Sequence, residues 1–223
     1  MFKLASYKER TILKREFNKW GIFDIYKNLE IVIKVFEKKS LSKHVEDKVL
    51  LEDNNNNNLK RRNENISKDE LKKTNNDCNI YLCSNKEQKD LAIKLQPLHT
   101  GIMIGQIKNK KFIPNLNFAE IIITYNPTLN YPYAILEDKG ANLVLYGRDI
   151  MGKSILEYYN QIKENQLLII LDQKKEVIGI GRSRYDNKLI TQMDKITIDN
   201  IQDIGTHYLK YENKHYLKNI KDS

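Results

Sequence analysis

Cysteine, proline, glycine and tryptophan are scarce in this chain of 223 residues, with two, four, nine and one respectively. Two cysteines, Cys78 and Cys83, are too few for a disulfide framework. Zinc normally takes four ligands, often in close Cys and His pairs, and the histidine nearest in sequence is His99. Free thiols fit a reducing compartment, and Cys83 is expected to face a core from a strand. No apolar run approaches the ~20 residues that a helix needs to cross a bilayer. The opening MFKLASYKERTILKREFNKW is charged throughout and lacks the apolar centre of a secretory signal. These features predict a soluble, cytoplasmic chain with no membrane partner (nucleolar if the source is a eukaryote).

Patterns that carry chemistry are also missing. The four histidines, His44, His99, His207 and His215, show no ligand or triad spacing, and no H-E-x-x-H, C-x-x-C or G-x-S-x-G occurs. The expectation is therefore no catalytic residue, no metal and no cofactor: not an enzyme.

What is abundant is positive charge. The formal net charge is +9 and the isoelectric point near 9.3, which suits a nucleic-acid partner. The excess is spread thinly along the chain and is mostly lysine. Abundant Lys, Asn, Ile and Tyr also follow from an AT-rich genome, so composition alone supports RNA or DNA binding only weakly.

In residues 6–20 the spacing of Ile12, Leu13, Phe17 and Trp20 predicts a helix, with Ser6 as N-cap and Glu9 three positions on. Gly21 ends it. NLEIVIKVFEKK then reads as a strand. From about 38 to 77 there is no glycine, proline, phenylalanine, tyrosine or tryptophan, and the centre reads EDNNNNNLKRRNENISKDELKK. Such a segment buries too little apolar surface to offset its conformational entropy, and is expected to be a disordered, Asn-rich surface insertion. CNIYLCS predicts a strand, and NKEQKDLAIKL a short helix with Leu91 and Leu95 on one side. In GIMIGQIKNKKFIPNLNFAEIIITY a polar turn at Lys108 to Lys111 separates two expected strands. Alternation after short turns suggests a meandering antiparallel sheet with helices on one side. Two prolines in NPTLNYPY place a domain boundary near 126–138.

The second block opens with LVLYGRDIMGKS, Leu143 to Ser154, which satisfies the phosphate-loop pattern G-x-x-x-x-G-K-S. NLVLY reads as the strand before it and the residues after it as a helix. The loop interior is wrong in kind, because Arg148, Asp149, Ile150 and Met151 stand where small residues would let the backbone wrap a polyphosphate. Asp149 would also oppose an anionic ligand. LLIILDQKKEVIGIG turns straight back as an antiparallel hairpin, where a parallel nucleotide-binding sheet needs a crossover of about a dozen residues. A nucleotide-binding protein remains the alternative, as does a protein–protein adaptor with no direct RNA role.

Taken together, DKGANLVLYGRDIMGKSI, LLIILDQKKEVIGIGRS and DIGTHYL resemble a PUA domain, a small RNA-binding fold. Asp138 to Ala141 would open its first strand, Gly147, Ile150 and Ile155 would set its first helix, and Gly179 and Gly181 would lie on the strand after the hairpin. LVLYGRDIMGKSI, VIGIGRS and DIGTHYLKYE resemble, more narrowly, the Nip-seven family of ribosome-biogenesis factors, in which an α/β pre-PUA domain precedes the PUA domain. GRDIMGKS favours an archaeal member. The resemblance implies an α+β fold: a pre-PUA domain with an antiparallel sheet at 1–132, a PUA pseudo-β-barrel at 136–212 and a basic tail at 213–223. It also implies a monomer that binds ribosomal RNA or its precursor in the assembling large-subunit particle, alongside the particle's protein factors. A protein partner would dock on the N-terminal domain.

The residues themselves make RNA binding physically sensible. Arg182 and Arg184, two apart, share a strand face if the chain stays extended, and Lys188 follows in the next turn. Gly179 and Gly181 would let a phosphodiester backbone approach, although a tight barrel bend needs small residues equally. Arginine suits bidentate phosphate contacts. Lys153 and Arg148 would form the other wall of the groove, with Lys195 completing the candidate RNA-binding set. At the C-terminus Lys210, Lys214 and Lys218 form a basic stripe if helical. Tyr208, Tyr211 and Tyr216 between them are expected to pack on their own domain rather than to stack on bases.

Overall fold

The computed structural model describes residues 1–35 and 77–206. The Asn-rich insertion, apart from its last residue, lies outside these, as do His44, the basic tail, and the histidines, lysines and tyrosines expected beyond residue 206.

The N-terminal unit is a five-stranded sheet in sequence order, β1 (Phe2–Lys3), β2 (Glu30–Val35), β3 (Cys78–Cys83), β4 (Ile102–Lys108) and β5 (Lys111–Pro114). All its pairings are antiparallel. Helix α1 (Tyr7–Lys19) starts as its capping box predicts: the Ser6 hydroxyl accepts from the Glu9 N–H, and the Glu9 carboxylate accepts from the Ser6 N–H. The short helix α2 (Phe23–Tyr26) follows it, and α3 (Lys86–Leu95) lies between β3 and β4.

Helices cover both faces of this sheet, not one as expected. Period-two alternation explains why: on β2 and β3, Ile33, Cys78 and Ile80 face α1, while Val32, Tyr81 and Cys83 face α3. Cys83 does face a core. The odd spacing puts Cys78 on the opposite side of the same strand, so the two thiols cannot meet. Only Ala92 of α3 is buried, and Leu91 and Leu95 are exposed. NLNFAEIIITY is helical, not a strand. Asn115 caps α4 (Leu116–Tyr125) by accepting from the Phe118 N–H at 3.2 Å.

Helix α4 lies against both β4 and the C-terminal unit. Phe118 is its hub, with ring centroids 5.2 Å from Phe17, 5.1 Å from Phe112 and 6.1 Å from Trp20. The same apolar cluster continues into Tyr133, Ile135, Ile169, Leu171 and Ile180. The two units therefore share one core.

The C-terminal unit contains β6 (Tyr133–Leu136), α5 (Asp138–Leu145), β7 (Ile150–Met151), β8 (Ile155–Tyr158), β9 (Leu167–Leu171), β10 (Val177–Ser183) and β11 (Ile196–Asp203). The spatial order is β7-β11-β10-β9-β6-β8. Among the described residues only β6 and β9 run parallel; β9 and β10 form the expected antiparallel hairpin. Its two edge strands, β7 and β8, are joined by the single 3-10 turn Gly152–Ser154. Three residues can bridge the two edges only if the sheet curls back on itself, which gives the nearly closed barrel.

Two expectations change here. DKGANLVL is helix α5, not a first strand, because Gly140, Ala141 and Val144 form one helical stripe buried on the barrel. GRDIMGKSI is not a helix but the turn and seam that close the barrel. The phosphate-loop reading thus loses both its leading strand and its following helix.

Candidate nucleic-acid interface

The GRDIMGKS segment is held by its own fold. The Gly152 N–H donates to the Lys195 carbonyl at 3.0 Å, so it is spent on the residue before β11 and not on a phosphate. A Cβ at Gly152 would stand 2.2 Å from the Gln192 carbonyl oxygen. That close approach requires glycine, and it is structural. The Asp149 carboxylate accepts from the Asn200 N–H at 2.9 Å, and the Asn200 side-chain amide donates to the Val144 carbonyl at 3.1 Å. These bonds tie the turn after α5 to β11.

Most of the candidate cations lie on the turns and loops that flank β7, β10 and β11. Lys153 sits in the 3-10 turn, and Lys195 precedes β11 beside Gly152. Arg148 lies in the turn after α5, and Lys188 is exposed in the β10–β11 loop. Arg182 and Arg184 are exposed on either side of the wholly buried Ser183, at the same end of β10.

The arginine pair is not equivalent. Arg184 lies 2.5 Å from Asp199 and 3.5 Å from Asp149. The hydrogen bond to Asp199, and then the charges of Asp199 and Asp149, hold its guanidinium above the usual value. Its partners are these two carboxylates, and they compete with any phosphate. Among the described residues Arg148, Lys153, Arg182, Lys188 and Lys195 make no ion pair within 4 Å.

Gly179 and Gly181 do not open a path for a phosphodiester. Added Cβ atoms would stand 2.8 Å from the Gln202 carbonyl oxygen and 2.5 Å from Ile198 Cγ2 respectively. The missing side chains face the protein's own interior, next to register shifts in β10.

A cleft of about 180 Å³ runs between α5 and the seam, with Lys139, Lys153, Leu143, Glu137 and Asp149 in its wall. The two carboxylates offset the two lysines locally, and Asp149 is already engaged by Asn200 and Arg184. Sequence reasoning missed Lys139 and Tyr146. Tyr146 is 77% exposed at the end of α5, a ring available for stacking. Reading NLVLY as a strand hid both; apolar positions at helical spacing in Ala141, Val144 and Leu145 were the available signal.

Elsewhere the two thiols are held in their protonated form. Burial, together with the nearby Glu9 carboxylate, pushes the Cys78 thiol up to about 11, and burial also raises Cys83. Neither is a poised thiolate. Among the described residues no cluster of three or more His, Cys, Asp or Glu side chains is placed to hold a metal. No described helix is long and apolar enough to cross a membrane.

Residues 132–213 match the family model described as the UPF0113 PUA domain. A UPF0113 protein of Archaeoglobus fulgidus is 29% identical over 126 residues, 56% of this chain and 68% of that protein. A hypothetical protein from the hyperthermophilic archaeon Pyrococcus horikoshii has a similar fold, with TM-score 0.55 and 11% identity over 91% of this chain and 94% of the other. So does a conserved PUA domain protein from Thermoplasma acidophilum, with TM-score 0.50 and 12% identity over 92% and 95%. A shorter match to the archaeal box H/ACA sRNP Nop10-Cbf5 complex covers 32% of this chain at TM-score 0.31 and 19% identity, and this chain spans 24% of that one. The C-terminal unit is a PUA domain, and it shares its core with an N-terminal antiparallel sheet in a mixed helix and sheet fold.

Proposed function

We propose that this protein is a non-catalytic RNA-binding factor whose PUA domain holds RNA phosphates at the seam end of the barrel. Arg148, Lys153, Lys188 and Lys195 make those contacts, Lys139 supports them from α5, and Tyr146 offers a stacking surface. The observation that carries this reading is the set of cations on the turns flanking β7, β10 and β11 that make no ion pair among the described residues. Exposed cations without an ion-pair partner attract a polyanion. The resemblance to the Nip-seven family supports a finer assignment: precursor ribosomal RNA during large-subunit assembly, bound by a monomer in the cytoplasm, or in the nucleolus if the source is a eukaryote.

Fluorescence anisotropy with labelled single-stranded RNA across a salt series tests the first part. About four phosphate contacts imply a log–log slope near −3 on single strands. Lys153→Glu with Lys195→Glu should flatten the slope and lower affinity on the order of tenfold or more. Unchanged binding by that variant, with folding intact, would remove the seam from the interface. Crosslinking in cells followed by sequencing tests the ribosomal part, which fails if precursor ribosomal RNA is not enriched.

A further inference from the structure

A second basic surface lies where the two units meet. A cavity of about 1020 Å³ opens between α1, the β4–β5 hairpin and the outer face of β10–β11. Arg15 and Lys19 reach it from α1, Lys108 and Lys111 from the hairpin, and Arg182 from the PUA barrel. Among the described residues Glu16 is the one carboxylate in its lining, and both Arg15 and Lys19 lean on it at 3.1 and 3.0 Å. Lys108, Lys111 and Arg182 make no ion pair among the described residues. Arg182 stands directly across the strands from Asp199, yet Asp199 is taken by Arg184.

We infer that this trough is an RNA-binding site in its own right, one that grips the sugar-phosphate chain of a single strand as it leaves the PUA seam. Five cations converging on one concave surface around a single carboxylate focus positive potential there, and their mutual repulsion is relieved by an anion. Continuity selects a nucleic acid over an acidic protein. Arg182 is on the same β10–β11 surface as Arg184, whose partner Asp149 belongs to the seam turn. A chain of phosphates can therefore pass from Lys153 and Lys195, beside the paired Arg184, to Arg182 and the hairpin lysines. The exposed side chains of Ile113 and Ile201 between the cations give bases and riboses an apolar surface to lie on. The N-terminal unit then reads RNA directly, where the family resemblance suggested only a protein dock.

The inference rests on RNA binding at the seam, and RNA length separates the two. Short single strands of about 5 nucleotides should need the seam alone, whereas strands of about 16 should span both sites. Lys108→Glu with Lys111→Glu should weaken the long RNA about tenfold and flatten its salt slope by about 1.4, leaving the short RNA unchanged. Lys108→Gln with Lys111→Gln should give a smaller change of the same sign, and thermal melts check folding. Unaltered affinity and slope for the long RNA in both variants would overturn the trough. Competition by an acidic peptide as effective as unlabelled RNA would overturn its assignment to RNA. Short-RNA binding indifferent to Lys153→Glu with Lys195→Glu would instead sink the seam reading.

Discussion

Asp149 and Asn200 are 51 residues apart in sequence, and the Asp149 carboxylate accepts the Asn200 backbone N–H at 2.9 Å. The other carboxylate oxygen faces Arg184 at 3.5 Å. One side chain thus joins the turn after α5, β11 and the end of β10. Asp149→Ala leaves that N–H without its charged acceptor and should cost about 1–2 kcal/mol. For a chain of this size that is a fall in melting temperature of about 2–8 °C. An unchanged melting temperature would mean the turn is held by other contacts.

The barrel seam gives a sharper test. Gly152→Ala sets a methyl group against the Gln192 carbonyl, and overpacking of this kind costs about 1–3 kcal/mol. Urea unfolding should show a lower midpoint at constant slope. In the unmodified protein, saturating magnesium and a nucleoside triphosphate should leave the melting temperature where it was. A true site filled to about 100 times its Kd would add about 2.7 kcal/mol.

Arg182 and Arg184 should separate experimentally. Arg182→Gln removes a cation with no carboxylate partner among the described residues, and should weaken binding of long RNA with stability unchanged. Arg184→Glu places a third carboxylate against Asp149 and Asp199, and should lower stability before any effect on RNA is read. Arg184→Ala loses only partly exposed ion pairs, worth within about 1 kcal/mol. Equal effects of Arg182→Gln and Arg184→Glu on stability would contradict this division.

Alkaline pH provides an independent readout of the N-terminal core. The folded Cys78 thiol is raised to about 11, above its ordinary value near 9, chiefly by burial and then by Glu9. An acid with a raised folded value binds more protons in the native state than in the unfolded one. Its contribution is present in full below about pH 9 and is lost as the pH climbs through about 11. Burial raises Tyr131 to about 12, and it acts in the same direction. Stability should decline above about pH 9, and Cys78→Ala should soften that decline. Iodoacetamide at pH 8 should modify Cys78 only in denaturant.

Local signals were legible wherever a short stretch decides its own conformation. The Ser6 and Glu9 capping box, the β9–β10 hairpin and the strand from Cys78 were readable because caps, turns and period-two burial involve neighbours in sequence. Residues 138–145 and 116–125 misled for the opposite reason. Both are apolar enough to suit a strand, and which they became was settled by the surface each buries against, α5 on the barrel and α4 between the two sheets. Of the candidate site, residue types were visible but pairing was not. Arg182 and Arg184 look alike in the sequence, and Asp199 and Asp149 that distinguish them arrive from distant strands.

By itself the amino-acid sequence determined two apolar blocks, a polar insertion, a cationic character, the lack of close metal-ligand spacing, the Ser6 and Glu9 helix start and the β9–β10 hairpin. These follow from composition and from contacts a few residues long. The tertiary structure alone decided that GRDIMGKS closes a barrel, that Gly152 spends its amide on Lys195, and that five cations from three elements surround one trough. Each depends on strands distant in the chain being brought edge to edge, and no local propensity encodes which backbone groups will then already be paired.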